Sequence, residues 1–343
     1  MKRHLNTLFI TTEDACLAKD GESVVVRVEH EVRFRIPLHN VGGIVCFGRV
    51  SLTQPAIAQC ARAEVPICLM STYGRFLARI TGPTSGNVLL RRQQYRQADA
   101  EPATLAIARN IVAAKAANTR CVLLRFLRDY ADSPARDAVE TASAFLGRNL
   151  DDLKAASTSD QVRGIEGEAA KTYFEVFDHL ITAQKDDFRF QTRTRRPPLD
   201  NVNALLSFLY SMLAHDAESA CEAVGLDPAV GFLHRDRPGR ASLALDLMEE
   251  LRAFLADRLT LSLINRRQVQ ASSFERTDTG AVNLTDEARK TVLSAYQARK
   301  QEVILHPFLQ EKTTIGLIPH IQARLLARCL RGELDGYPPF LWK

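Results

Sequence analysis

Apolar and polar positions change their spacing once along the chain. Up to residue 86, apolar residues occur in short β-branched runs or alternate with polar ones, as strands require. Thr7–Ile10 and Cys16–Lys19 are the first candidates, and Asp20-Gly21 offers a two-residue hairpin turn into Val24–Val28. A turn at His30-Glu31 leads into Val32–Pro37, where apolar residues alternate with Arg33 and Arg35. Gly43–Phe47 is a continuous apolar run of the buried type. Gln54–Ala63 has the spacing of a short helix, and Pro66–Met70 and Arg75–Ile80 complete the segment as strands. Pro83 to Gly86 reads as a boundary loop.

From Asn87 onward the period becomes helical. Ile107–Tyr130, Ala138–Leu153, Ser159–Ile181, Val202–Ala220, Ser242–Leu261, Thr285–Glu302 and Thr314–Leu334 carry apolar residues on one face and are rich in helix formers. Arg276 to Leu284, around Asp278-Thr279-Gly280, interrupts them as a small hairpin. The pattern predicts an α+β protein with a small N-terminal β-domain, residues 1–86, followed by a larger all-α domain, residues 87–343.

Composition narrows the class. The 343 residues are 46% apolar and 25% charged, enough to bury a core and unlike a disordered chain. No apolar run approaches the ~20 residues of a membrane span. The charged start Lys2-Arg3-His4 resembles a signal peptide, but the apolar stretch after it stops at Thr11-Thr12-Glu13-Asp14. The expectation is a cytoplasmic protein with no membrane partner. The seven cysteines are scattered without a C-x-x-C, which argues against a disulfide framework and a zinc knuckle. A net charge of +5 is compatible with nucleic acid, and its clustering matters more than its sum.

Four constellations could carry chemistry. In Arg163-Gly164-Ile165-Glu166-Gly167, two glycines bracket a glutamate within a helical stretch, where each costs ~1 kcal/mol relative to Ala. They make sense if a phosphate backbone or a neighbouring helix approaches Glu166; otherwise this is a helix junction with a solvated glutamate. Further on, Gly231-Phe232-Leu233-His234 precedes a loop holding Arg235, Arg237 and Arg240. The helix after it carries Asp246 and Glu249 three apart, on one face among leucines. Buried carboxylates need partners, and carboxylates with an imidazole suit Mg²⁺ or Mn²⁺ better than a structural zinc. The plainer alternative is a core histidine beside an ordinary polar face. The third stretch, Phe188 to Arg196, contains Arg189, Arg193, Arg195 and Arg196 without an acid, interleaved with two aromatics. Guanidinium groups suit phosphates and aromatics can stack on bases, although a solvated linker is the simpler reading. Finally, His215-Asp216, with His179 and Asp227, matches the dipeptide of HD-type metal-dependent phosphohydrolases.

Taken together and in order, several of these segments resemble the CRISPR-associated integrase–endonuclease family, the metal-dependent subunit of the spacer-acquisition machinery. The matching segments are Arg163–Gly167, Pro197-Pro198-Leu199-Asp200-Asn201-Val202-Asn203-Ala204-Leu205-Leu206-Ser207-Phe208, Gly231–His234 and Arg240–Glu250. Leu5–Thr11 and Tyr337–Lys343 resemble the variant that accompanies type I-C systems. The resemblance implies a dimerising β-domain and a helical catalytic domain. It implies metal ligation by Glu166, His234 and one carboxylate of the Asp246/Glu249 pair, with Glu249 favoured and Asp246 its neighbour. Asn203 and Ser207 match supporting polar positions. The cofactor would be Mg²⁺ or Mn²⁺. The partners would be double-stranded DNA, a second copy in a homodimer, and a small ferredoxin-like adaptation protein bridging two dimers. Arg189, Arg193, Arg195, Arg196, Arg235, Arg237 and Arg240 are the expected DNA contacts. A non-catalytic DNA scaffold and the HD-type phosphohydrolase are the competing readings.

Overall fold

The computed structural model describes residues 6–83 and 88–342. Lys2, Arg3, His4, Leu5, most of the expected boundary loop (84–86) and Lys343 lie outside them. By its contacts the chain divides into two compact units. The first holds residues 1–85 together with 283–302, and the second holds 86–282 and 303–343.

The first unit is built from the strands that the alternation predicts. These are β1 (Thr7–Ile10), β2 (Cys16–Asp20), β3 (Ser23–Val28), β4 (Glu31–Pro37), β5 (Gly43–Phe47) and the short β6 (Ser51–Leu52). The helix α1 (Gln54–Arg62), β7 (Ile67–Met70) and β8 (Phe76–Ile80) follow. One sheet runs β1-β5-β7-β8, parallel except at β8, and the other runs β4-β3-β2-β6. Asp20 pairs with Ser23, so the first hairpin turns on Gly21-Glu22 rather than Asp20-Gly21. Gly21 supplies the positive φ of +58° that this turn needs. Leu17, Val24, Ile44, Ala56, Cys60 and Ile67 form a shared core.

The second unit is mainly helical. It contains α2 (Val88–Ala98), α3 (Glu101–Asp129), α4 (Arg136–Ala155), α5 (Ser159–Val176) and α6 (Asn201–Val224). Next come α7 (Ser242–Glu249), a π-helical turn (Arg252–Asp257) and α8 (Arg258–Asn265). The expected hairpin is present as β9 (Phe274–Arg276) and β10 (Val282–Leu284). After it, α9 (Asp286–Gln301) packs with the first unit, so the expected division at residue 86 does not describe this segment. The chain then returns as β11 (Val303–Leu305), β12 (Lys312–Thr314) and α10 (Ile318–Leu330). Periodicity alone does not predict β6, α2 or the β11–β12 ladder. None of the described helices is long and apolar enough to cross a membrane.

Local capping signals and one helical stripe position the site. Thr158 caps α5 by accepting from the Gln161 N–H. Asp200 caps α6 through the Asn203 N–H at 2.8 Å, and Gly225 closes that helix at φ +89°. Along α3, Ile107, Ile111, Thr119 and Val122 face inward at helical spacing.

Candidate active site

Asp246 organises the histidine loop. Its fully buried carboxylate accepts from the backbone N–H groups of Phe232 (2.6 Å), Leu233 (3.0 Å) and His234 (2.9 Å). The loop can approach this closely only because residue 231 is glycine: a Cβ there would stand 2.8 Å from Asp246 Oδ2 and 2.9 Å from the Ser242 carbonyl carbon. Oδ1 also lies 2.7 Å from His234 Nδ1. A carboxylate only accepts, so in the neutral ring the proton sits on Nδ1 and Nε2 presents its lone pair. That nitrogen lies 3.8 Å from Glu249 Oε1.

Glu249 is buried at the end of α7. Its Oε1 pairs with Arg252 at 3.0 Å, and its Oε2 lies 2.8 Å from Lys115 Nζ in the geometry of an ion pair rather than a directed hydrogen bond. Burial would push the Glu249 carboxyl up. The charges of Arg252 and then Lys115 outweigh burial and bring it down to about 2.

Lys115 Nζ also donates to Glu166 Oε1, so one ammonium joins the half-buried glutamate of α5 to the buried one of α7. Arg163 ties α5 to the loop by donating to the Leu233 carbonyl at 3.2 Å. A Cβ on Gly164 or Gly167 would meet nothing within 4 Å. No neighbouring helix therefore requires these glycines, and the helix surface at both is open. Among the described residues, no group of three or more His, Cys, Asp or Glu side chains is gathered to hold a metal ion.

The basic stretch divides into inward and outward side chains. Phe188 and Phe190 point inward, Phe188 edge-on to Phe274 at 5.6 Å and Phe190 against Phe174 and Phe177 at 5.6 and 5.1 Å. They are core residues rather than a base-stacking platform, because the aromatic partners Phe174, Phe177 and Phe274 cover them. Arg189, Arg195 and Arg196 are exposed. Arg193 turns inward: it donates to Asn203 Oδ1 at 2.7 Å and Ser207 Oγ at 3.0 Å, and lies 5.3 Å from the centre of the Tyr210 ring. Asn203 and Ser207 thus hold the basic segment to α6. Arg235 and Arg237 are exposed and Arg240 is half-buried. Arg235 pairs with Asp160 at 2.6 Å.

His215-Asp216 lies inside α6, and His215 is buried. Asp227 accepts from Tyr95 at 2.7 Å. With His215 turned into the core and Asp227 engaged by Tyr95, the HD reading is not favoured.

Lys115 and Arg252 were not legible as site residues. Lys115 interrupts an alanine-rich run on the inward stripe of α3 between Ile111 and Thr119, a signal that could have found it. Arg252 lies three residues after Glu249 and stacks on Tyr210 at 4.8 Å. Tyr210 in turn donates to Asp257 at 2.6 Å, the far end of the π-helical turn.

Residues 8–298 match the family described as CRISPR associated protein Cas1. The CRISPR-associated endonuclease Cas1 1 of Chlorobaculum tepidum is 51% identical over 343 residues, covering 100% of both chains. The CRISPR-associated endonuclease Cas1 2 of Rhodospirillum rubrum is 54% identical over 348 residues, again covering 100% of both. Among solved structures, a CAS1 protein from Thermotoga maritima superposes with a TM-score of 0.81 over 98% of this chain and 100% of its own. At 23% identity that last likeness concerns the fold. With a family match over most of its length and full-length relatives at about half identity, the chain belongs to the CRISPR associated protein Cas1 family.

Proposed function

We propose that the chain is a metal-dependent DNA endonuclease and integrase that inserts short duplex fragments into a CRISPR array during spacer acquisition. The observation that carries this reading is the junction of Glu166 and Glu249 through one cation, with the imidazole of His234 turned toward Glu249. Its relatives in Chlorobaculum tepidum and Rhodospirillum rubrum are named CRISPR-associated endonucleases.

The donor set suits a hard divalent cation. It combines two carboxylates, one with a buried oxygen that receives no directed hydrogen bond, and an imidazole nitrogen freed by Asp246. Glu166, His234 and Glu249 would hold Mg²⁺ or Mn²⁺, which supplies charge neutralisation at a phosphodiester and activation of an attacking water or 3′-hydroxyl. Asp246 fixes the ring that faces the scissile group, while Arg252 keeps Glu249 ionised and aimed. The Glu166 side chain, 26% exposed, stays within reach of a DNA backbone. The exposed arginines 189, 195, 196, 235 and 237 are placed to take phosphates, with Arg193 and Arg240 supporting their segments from within. Water as nucleophile gives a nick, and a strand end gives joining. A homodimer formed through the β-rich unit, and a small ferredoxin-like protein bridging two dimers, complete the proposed assembly.

The test is Glu166→Ala and His234→Ala, assayed on branched and plasmid DNA with Mn²⁺. Cutting and joining should each fall by about 10²–10³-fold or more, the scale of losing one preorganised charge-stabilising group. DNA binding should be largely retained. Full activity in either variant removes that residue from the site.

A further inference from the structure

The Lys115 ammonium occupies the place where the proposed chemistry calls for a cation. Its stem leaves the inward face of α3, and its side chain is only 12% exposed. It pairs with Glu166 Oε1 and stands 2.8 Å from Glu249 Oε2, while Arg252 takes the other Glu249 oxygen at 3.0 Å. The formal charges of Lys115, Arg252, Glu166 and Glu249 cancel. Without Lys115, two carboxylates would face one another across a partly desolvated gap, and leaving a buried charge without its partner is strongly unfavourable.

We propose that Lys115 is a resident counter-ion: it holds the cation seat in the ion-free protein and gives it up when a divalent ion binds. This inference rests on the metal-site reading above. A divalent ion of this class sits ~2.0–2.2 Å from carboxylate oxygens and uses the lone pairs that the ammonium now takes. The two cations therefore compete for Glu166 Oε1 and Glu249 Oε2. The two basic side chains at Glu249, Lys115 and Arg252, differ in how readily they leave. Lysine carries a compact charge on a flexible stem. Arg252 is buried against the Tyr210 ring and remains as the fixed counter-charge. Metal binding is thus an exchange. Lys115 weakens the site for any divalent ion while holding its two carboxylates together and in place beforehand.

The experiment measures Mn²⁺ binding to the full chain without DNA, by calorimetry and by the electron paramagnetic resonance of free Mn²⁺. Lys115→Met should bind Mn²⁺ about tenfold more tightly than the natural protein, which equals about 1.4 kcal/mol. Its Tm without ions should be lower and its Mn²⁺-induced rise in Tm larger. Lys115→Gln repeats the measurement should the Met variant not fold. Without any substitution, acetylation of Lys115 followed by mass spectrometry should increase when Mn²⁺ is added. Equal or weaker Mn²⁺ affinity in the folded neutral variants overturns the inference, as does unchanged Lys115 acetylation. A different result tests the underlying reading: undiminished Mn²⁺ binding by Glu166→Ala places the ion elsewhere and overturns both.

Discussion

Asp246 and Glu249 are three residues apart on one short helix, and their environments give them separate tasks. Asp246 faces the loop and accepts from three consecutive backbone N–H groups, while Glu249 faces Lys115 and Arg252. Spacing puts both on one helical face, but it does not say which meets the loop. That choice follows from Gly231, which lets the loop backbone close over the nearer carboxylate. Asp246→Ala would leave those N–H groups buried without an acceptor, at about 1–3 kcal/mol each. We expect a loss of about 3 kcal/mol or more in denaturant unfolding, with the His234 ring no longer held. An unchanged midpoint would show that the loop does not depend on this carboxylate.

Ser242–Leu261 has the periodicity of one continuous helix, yet the structure ends α7 at Glu249 and inserts the π-helical turn before α8. A π-turn accommodates an extra residue and re-aims the side chains on either side. Here it sets Arg252 against Glu249 and Asp257 against Tyr210. The C-terminal segment braces this irregular stretch. Phe340 packs on Phe254 with ring centres 5.2 Å apart, and Trp342 lies 5.3 Å from the same ring. Buried Glu250 accepts from Tyr337 Oη (2.5 Å), the Phe340 N–H (2.7 Å) and Gln322 (2.9 Å). Burial pushes its carboxyl up to about 7 despite those donors. Asn118 of α3 donates to the Glu250 and Phe340 carbonyls at 2.7 and 2.8 Å, which ties the segment to the helix that carries Lys115. Phe340→Ala should therefore destabilise the protein by about 3–5 kcal/mol, the usual range for a buried aromatic. Thermal unfolding measures this, and a shift of less than about 1 kcal/mol would mean that the segment is not a brace.

The two compact units do not follow the order of the chain. The segment 283–302 leaves the helical part and packs with the β-rich unit. Ala288, Val292, Leu293 and Tyr296 of α9 are buried. Arg289 donates to the Thr72 carbonyl and lies 5.5 Å from the centre of the Phe47 ring. Burying three large apolar side chains at about 1.5–3 kcal/mol each is comparable with the whole stability of a small domain, about 5–15 kcal/mol. A fragment of residues 1–86 should thus show no cooperative melt, and joining residues 283–302 to it through a flexible linker should restore one. A fragment that melts cooperatively without them would mean that α9 is dispensable to that unit.

Much of this protein is determined along the chain itself. Strand alternation, helical period and turn residues are local properties, so the change from β to α and most element bounds follow from neighbouring side chains alone. The segments around Glu166, His234 and Asp246/Glu249 carry the family resemblance for the same reason. Tertiary structure decided the rest, through contacts between residues distant in sequence. Lys115 meets Glu166 across 51 residues, and Asn118 meets Glu250 across 132. Such encounters turned Phe188 and Phe190 into core, drew Arg193 inward and assigned α9 to the β-rich unit. Local spacing carries no information about which distant surface will cover a side chain, and that covering decides whether a charge is solvated, paired or set to work.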